Sequence, residues 1–190
     1  MLMRHSVFAF VLALPWLPTQ VLQAQETPID TARSTITIHA GRAGLLSAAG
    51  HDHWISAPIS SGIIRDSGVE FKVESAKMLV KPDPKVDAKT RATIQKDMET
   101  MTLETSKYPE ISFQSTRVEP SGADQWRVEG NLTLHGVTKL ITLVVKRSNG
   151  AYTGHTALKQ TDFGIKPVSV GGGMIRVKNE IDIDFEVYSK

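Results

Sequence analysis

The sequence predicts a mainly β domain, a closed or nearly closed antiparallel barrel of about eight strands with one mid-chain helix. Apolar and polar residues alternate in several segments, which is typical of strands with one buried and one solvated face. Turn signals such as Asn149-Gly150 separate these segments. Between residues 87 and 105 the pattern changes to the period of a helix. A sandwich of two sheets is the alternative arrangement.

The composition is that of a soluble globular domain. The chain has 190 residues, of which 41% are hydrophobic and 22% are charged, and both fractions are ordinary. The formal net charge is +2 and basic residues are interleaved with acidic ones, so we expect no nucleic-acid partner. The chain has no cysteine, which excludes disulfides, thiolate metal sites and cysteine nucleophiles.

Residues 1–24 have the order of a secretory signal peptide. Arg4 precedes an apolar run at residues 7–14, and Ala24 offers a cleavage position. The run is too short for a transmembrane helix. We therefore expect export to the periplasm, a mature domain of residues 25–190 and no stable membrane span after cleavage. Loss of Arg4 lowers the formal net charge from +2 to +1.

Alternation assigns an inner face to each predicted strand, and this face is expected to line an apolar cavity. The inward residues are Ile36, Ile38, Phe71, Val73, Ile111, Phe113, Trp126, Val128, Leu132, Val177, Ile181 and Ile183. Asn179 falls on the inward phase of the last strand. Since a buried amide needs partners, Asn179 is either a contact for a ligand head group or an internally satisfied core residue.

The mid-chain helix is predicted to begin after Asp87, a suitable N-cap, and to end before Tyr108-Pro109. Ile94, Met98 and Met101 lie at i, i+4 and i+7 and form one apolar stripe. We expect Met98 and Met101 to face the interior, where methionine adapts well to a flexible ligand.

His51 and His53 are separated by one residue and project from the same face if they lie on a strand. Two such imidazoles can chelate zinc or copper, with His39, His135 or His155 as candidates for the third ligand. Alternatively, the pair lies at the barrel rim and bonds to backbone or water. In a third interpretation it contacts a ligand head group and makes binding sensitive to pH.

Catalytic motifs find no support in the sequence. The chain contains neither Gly-x-Ser-x-Gly nor His-Glu-x-x-His. Asp162-Phe163-Gly164 spells the magnesium motif of kinases, but the other kinase motifs do not accompany it. Gly171–Gly173 lacks the context of a phosphate-binding loop. We therefore expect a protein that is not an enzyme.

Four motifs, in order, resemble the YceI-like lipid-binding family of exported, lipocalin-like barrels. They are Ile29-Asp30 with Ser34, the helix followed by Tyr108-Pro109 and Phe113, the hairpin sequence from Gly130 to Lys139, and Asp162-Phe163-Gly164-Ile165. The likeness runs from Ile29 to Val187. The sequence departs from the usual family pattern at Gly50–Trp54, which is richer in histidine.

The resemblance implies an apolar interior that binds a polyisoprenoid tail, and it implies no reaction. The expected ligand is an amphiphilic lipid such as an isoprenoid quinone or a prenyl phosphate, with no covalent cofactor. Phe163, in the last of the four motifs, joins the expected cavity lining. Two alternatives stay open: a metal-binding periplasmic protein that uses His51 and His53, and a structural barrel filled by its own side chains. The sequence also leaves open whether the barrel forms a homodimer.

Overall fold

The computed structural model describes residues 26–190, so the predicted signal peptide lies outside the described residues. The helix α1 spans Ala88–Asp97. The strands are β1 Thr27–Pro28, β2 Thr35–Ala40, β3 Arg42–Ala43, β4 His53–Ser56, β5 Ile59–Arg65, β6 Gly68–Glu74, β7 Leu79–Val80, β8 Glu110–Gly122, β9 Gln125–Leu134, β10 Val137–Ser148, β11 Ala151–Lys159, β12 Ser169–Val170, β13 Ile175–Val177 and β14 Glu180–Tyr188.

The main sheet is antiparallel and curls back on itself. Its strand order is β1-β5-β6-β8-β9-β10-β11-β14-β2-β4-β7, and β12, β13 and β3 form a separate small sheet. Ile29 donates its N–H to the carbonyl of Gly62 in β5 and also bridges to Ser189 after β14. Because β5 lies near one edge and β14 well inside the sheet, this contact bends the sheet into a half-barrel.

The predicted class, a mainly β barrel-like fold with one mid-chain helix, is confirmed. The number of strands differs: the described residues form eleven strands in the main sheet rather than about eight. Part of the difference comes from β1 and β7, which have two residues each. Two residues are too few to display a period-two pattern, so the sequence does not reveal such strands.

The long strands form a continuous wall whose inner side chains are the core. Val73 and Phe113 are each 2% exposed and Val128 is 5% exposed. The rings of Phe71 and Phe113 stack across β6 and β8 with their centroids 5.6 Å apart. The predicted alternation therefore identifies the buried face of this wall.

The helix begins as predicted, because the Asp87 carboxylate accepts hydrogen bonds from the N–H groups of Lys89 and Thr90. Gln95 ties the helix to β7: its Oε1 accepts from the N–H of Val80 at 2.8 Å and its Nε2 donates to the Met78 carbonyl at 2.9 Å. The helix thus lies against the sheet edge formed by β7.

The prediction that Met101 faces the interior is wrong, since this side chain is 69% exposed. Residues Met98–Thr102 form a π-helical turn, in which the N–H of Leu103 bonds to the carbonyl of Met98. A π turn holds an extra residue compared with an α-helical turn. The extra residue rotates Met101 away from the stripe that Ile94 and Met98 share.

The inward prediction for Asn179 is also wrong. The chain from Ile175 to Phe185 forms two strands, and Asn179 lies exposed in the break between β13 and β14. Its Oδ1 accepts from the N–H of Thr161 at 3.0 Å, and its Nδ2 donates to the Thr161 hydroxyl at 2.9 Å. Period-two alternation holds only while a strand continues, so it does not apply at the break.

Candidate ligand-binding cavity

The curled sheet encloses a cavity of about 480 Å³. This volume lies within the roughly 300–1,000 Å³ range of small-molecule sites. Isoleucine, valine, leucine and phenylalanine side chains from both sides of the barrel make up most of its lining. The helical segment contributes Ile94 and Met98 to the same lining. The cavity contradicts the alternative of a barrel filled by its own side chains.

Most of the residues that were predicted to line the cavity do so. They are Ile36, Ile38, Phe71, Val73, Met98, Ile111, Phe113, Trp126, Val128, Leu132, Val177, Ile181 and Ile183. The two exceptions are Met101, which the π turn exposes, and Phe163. Phe163 is 2% exposed but belongs to the core outside the cavity wall, because it ends a 3-10 turn rather than lying on a strand.

Several polar groups on the cavity wall escaped the sequence analysis. Thr156 lies on the inner face of β11, and the alternation of Tyr152, Thr156 and Leu158 is the signal that could have identified it. Gln160 is 6% exposed, and its Nε2 donates to the Lys178 carbonyl at 2.7 Å. No pattern reveals Gln160, since it begins a 3-10 turn.

A charged cluster lies where the turn between β5 and β6 reaches the cavity. Arg65 lines the cavity, and its guanidinium binds Glu26 at 2.7 Å and Glu70 at 3.1 Å. Asp66 and Gly68 line the same part of the wall. The positive charge of Arg65 is therefore balanced by two carboxylates.

The structure separates the two histidines of the predicted pair. His53 is the first residue of β4 and lines the cavity, whereas His51 precedes the strand and is not part of the lining. Burial lowers the pKa of His53 below its ordinary value of 6.5, and the charge of His51 lowers it further, while Asp52 and Asp83 oppose the shift. The neutral imidazole that results has one donor and one acceptor nitrogen.

The third ligands considered for a metal site do not join His51 and His53. His39 and His155 lie near Asp182, at 3.5 Å and 3.7 Å. His135 instead pairs with Glu104 at 2.8 Å. Within residues 26–190, no group of three histidine, aspartate or glutamate side chains is arranged to hold a metal ion. The described structure therefore offers no support for the metal-binding alternative.

The described helices are short. The helix α1 has ten residues. In residues 26–190 we find no helix whose length and apolar character would suffice to cross a membrane.

Comparison with curated proteins finds relatives among the UPF0312 proteins. The chain is 39% identical over 100 residues to one from Pseudomonas savastanoi pv. phaseolicola, covering 46% of this chain and 49% of that protein. It is 28% identical over 177 residues to one from Vibrio parahaemolyticus, covering 86% of this chain and 89% of that protein. The match thus spans about half the length of the Pseudomonas relative.

Solved structures share the fold at low sequence identity. A polyisoprenoid binding domain from Saccharophagus degradans, implicated in plant cell wall breakdown, aligns with a TM-score of 0.61 at 14% identity, over 88% of this chain and 99% of that one. BcnA from Burkholderia cenocepacia aligns with a TM-score of 0.56 at 16% identity, over 84% and 98%. These likenesses establish the architecture.

The family model of the YceI-like domain matches residues 28–188. This range contains the helix, the cavity lining and all of the curled sheet except Thr27 of β1. The chain therefore belongs to the YceI-like domain family.

Proposed function

We propose that the protein binds an amphiphilic lipid with a long apolar chain, of the isoprenoid type, and acts as its carrier, store or scavenger without catalysing a reaction. The observation that carries the proposal is the cavity of about 480 Å³ lined by aliphatic and aromatic side chains from all sides. The fold that this chain shares with the polyisoprenoid binding domain from Saccharophagus degradans supports it.

Burial of the lipid chain supplies the binding energy. Each methylene group moved from water into an apolar cavity gains about 0.8 kcal/mol. About ten buried carbons thus gain roughly 8 kcal/mol, from which the cost of ordering the chain is subtracted. Aliphatic walls give this energy without requiring one particular chain shape, since the hydrophobic effect has no preferred direction.

His53 is the proposed contact for the head group. It belongs to the cavity lining, and the lowering of its pKa favours the neutral ring. An imidazole N–H can donate to a quinone carbonyl or to a phosphate oxygen, so an isoprenoid quinone and a prenyl phosphate both fit. In the same proposal the protein works in the periplasm, where the predicted signal peptide would deliver it.

Ligand uptake tests the proposal directly. Protein purified from a bacterial periplasmic fraction is analysed by native mass spectrometry, before and after incubation with geranylgeraniol and with geranylgeranyl phosphate. We expect a bound prenyl species or stoichiometric uptake of a probe. Protein that arrives empty and takes up neither probe would overturn the proposal.

Two neighbouring positions on β11 provide a matched control. Thr156→Trp places an indole in the cavity, whereas Ala157→Trp places it on the exposed outer face. We expect Thr156→Trp to weaken probe binding by about tenfold or more, a loss of at least ~1.4 kcal/mol, and Ala157→Trp to leave it unchanged. Equal effects of the two variants would show that the probe does not occupy the cavity. Circular dichroism verifies that both variants fold.

A further inference from the structure

Two loops at one end of the barrel present apolar side chains to water. Leu45 is 94% exposed, Leu46 50%, Val170 53% and Met174 48%. We call these four residues the apolar tip. Scattered exposed apolar residues are ordinary, but a cluster of them at one place marks an interaction site.

The two loops of the apolar tip are joined to each other. The N–H of Leu46 donates to the Met174 carbonyl at 2.9 Å. In the small sheet, β13 pairs with β3 on one side and with β12 on the other. Gly44 has a φ of +103°, and a Cβ there would collide with the Met174 carbonyl, so the sequence provides glycine where the loops meet. The tip is thus a defined part of the fold.

The apolar tip is continuous with the cavity. Val168 and Val177 both line the cavity, and the N–H of Val177 donates to the Val168 carbonyl at 2.9 Å. Val168 is followed directly by β12, whose last residue is Val170, and Val177 ends β13. The tip therefore lies at the rim of the cavity, on the strands that continue from its wall.

The charge around the apolar tip is positive. Residues 41–50 and 166–178 contain Arg42, Lys166, Arg176 and Lys178 but no aspartate or glutamate. Asp52 offsets part of this charge: it accepts from the backbone N–H of Arg42 at 2.8 Å, lies 3.9 Å from the Arg42 guanidinium and also attracts Lys178. Among residues 26–190, no carboxylate forms an ion pair with the other three cations.

We propose that the apolar tip docks on an anionic membrane surface at the rim of the cavity. Its apolar side chains would enter the boundary between head groups and acyl chains, and Lys166, Arg176 and Lys178 would contact lipid phosphates. Binding of this kind gains from buried apolar area and from attraction to anionic lipids together. Docking with the rim against the bilayer gives a lipid a path between bilayer and cavity that avoids water. The inference goes beyond the proposed function, because docking does not depend on what fills the cavity.

A label at a single position tests where the protein meets the membrane. The chain has no cysteine, so Leu45→Cys creates one attachment point for an environment-sensitive fluorophore. Leu140→Cys is the matched control, since Leu140 is an exposed leucine on the outer face of β10. Vesicles of phosphatidylcholine mixed with phosphatidylglycerol are compared with vesicles of phosphatidylcholine alone.

We expect the label at position 45 to shift to shorter wavelength and gain intensity on the phosphatidylglycerol vesicles, and to respond more weakly to phosphatidylcholine alone. The label at position 140 should respond to neither. A label at position 45 that stays exposed to water on both kinds of vesicle would overturn the proposal. The apolar tip would then be a candidate surface for binding another protein. Equal responses at both positions would overturn it too, because the protein would then bind through another surface.

Charge variants test the electrostatic part. Arg176→Gln removes the cation that lies two residues from Met174 and pairs with Ser169 and Ala43, and Lys146→Gln removes one near the β10–β11 turn, at the opposite end of β11 from the tip. Loss of one cation near an anionic surface costs about fivefold in vesicle affinity, so we expect Arg176→Gln to bind about fivefold more weakly. Equal effects of the two variants would contradict docking through the tip. Vesicle binding by protein that takes up no prenyl probe would refute the proposed function and leave the docking intact.

Discussion

The wall of long strands and the small sheet beside the apolar tip are both antiparallel, yet their apolar side chains differ in exposure. On the wall, Phe113 is 2% exposed and Val128 is 5% exposed, whereas Leu45 in the tip is 94% exposed. Each strand of the wall is hydrogen-bonded to a neighbouring strand on both sides, and the wall curls around a shared interior. The strands of the small sheet have two or three residues each, and of these residues only Val177 lines the cavity. Burial is therefore set by enclosure, and residue type alone does not predict it.

The largest expected contrast comes from truncating one apolar side chain in each region. Phe113→Ala removes a ring packed against Phe71, and we expect a loss of about 3–5 kcal/mol in the free energy of unfolding. Leu45→Ala changes an exposed side chain and should stay within about 0.5 kcal/mol of the wild type. Chemical denaturation of both variants checks this, and comparable losses would contradict the distinction between wall and tip.

A smaller effect is expected where the wall packs around a glycine. A Cβ at Gly130 would collide with the Phe113 ring and the Gln114 carbonyl, so Gly130→Ala should destabilise the protein by about 1–3 kcal/mol. At Gly122 the added Cβ would meet only the Cβ of Gln125 at an ordinary 3.6 Å. Thermal unfolding should therefore show Gly122→Ala close to the wild type. A similar loss in both variants would mean that strand propensity, rather than packing, sets the cost.

The helix cap gives the next contrast, in an element that belongs to neither region. Asp87→Ala leaves the N–H groups of Lys89 and Thr90 without their acceptor, and we expect a loss of about 1 kcal/mol. Asp87→Asn keeps an acceptor and should lose only a few tenths of a kcal/mol. Denaturant titration distinguishes them, and an equal loss would show that the negative charge, rather than the hydrogen bonds, stabilises the helix.

The smallest expected effect is the pH dependence carried by His53. The pKa of His53 is below 6.5 in the folded protein and about 6.5 in the unfolded chain. Between these two pKa values the unfolded chain binds more protons than the folded protein. Stability should therefore fall as the pH drops through 6.5 and level off below the folded pKa. His53→Gln should flatten this part of the profile of unfolding free energy against pH. A profile that keeps its slope would assign the dependence to other groups.

The sequence predicted the wall well and the irregular segments poorly. Alternation identified Ile36, Phe113 and Ile183 as inward residues, because a continuous strand obeys a strict period of two. Capping chemistry identified Asp87, because its hydrogen bonds are local. The errors at Met101 and Asn179 both arise where an element changes its period, at a π turn and at a strand break.

The candidate site was predictable in part for the same reason. The strand residues of the lining follow from the pattern, whereas Gln160 lies in a 3-10 turn that gives no such signal. The pair of His51 and His53 was expected to act together, but β4 begins at His53 and leaves His51 outside the lining. Where a strand starts depends on its partners, and β4 pairs with β2 and β7, which are distant in sequence from each other.

By itself, the sequence determined the fold class, the buried face of each long strand and the start of the helix. These features follow from backbone periodicity and from hydrogen bonds between near neighbours in the chain. Only the tertiary structure decided that the interior keeps a cavity, that His53 and Gln160 line it, and that Leu46 and Met174 meet near its rim. Each of these depends on which distant segments pair and how strongly the sheet curls, and no local pattern encodes that.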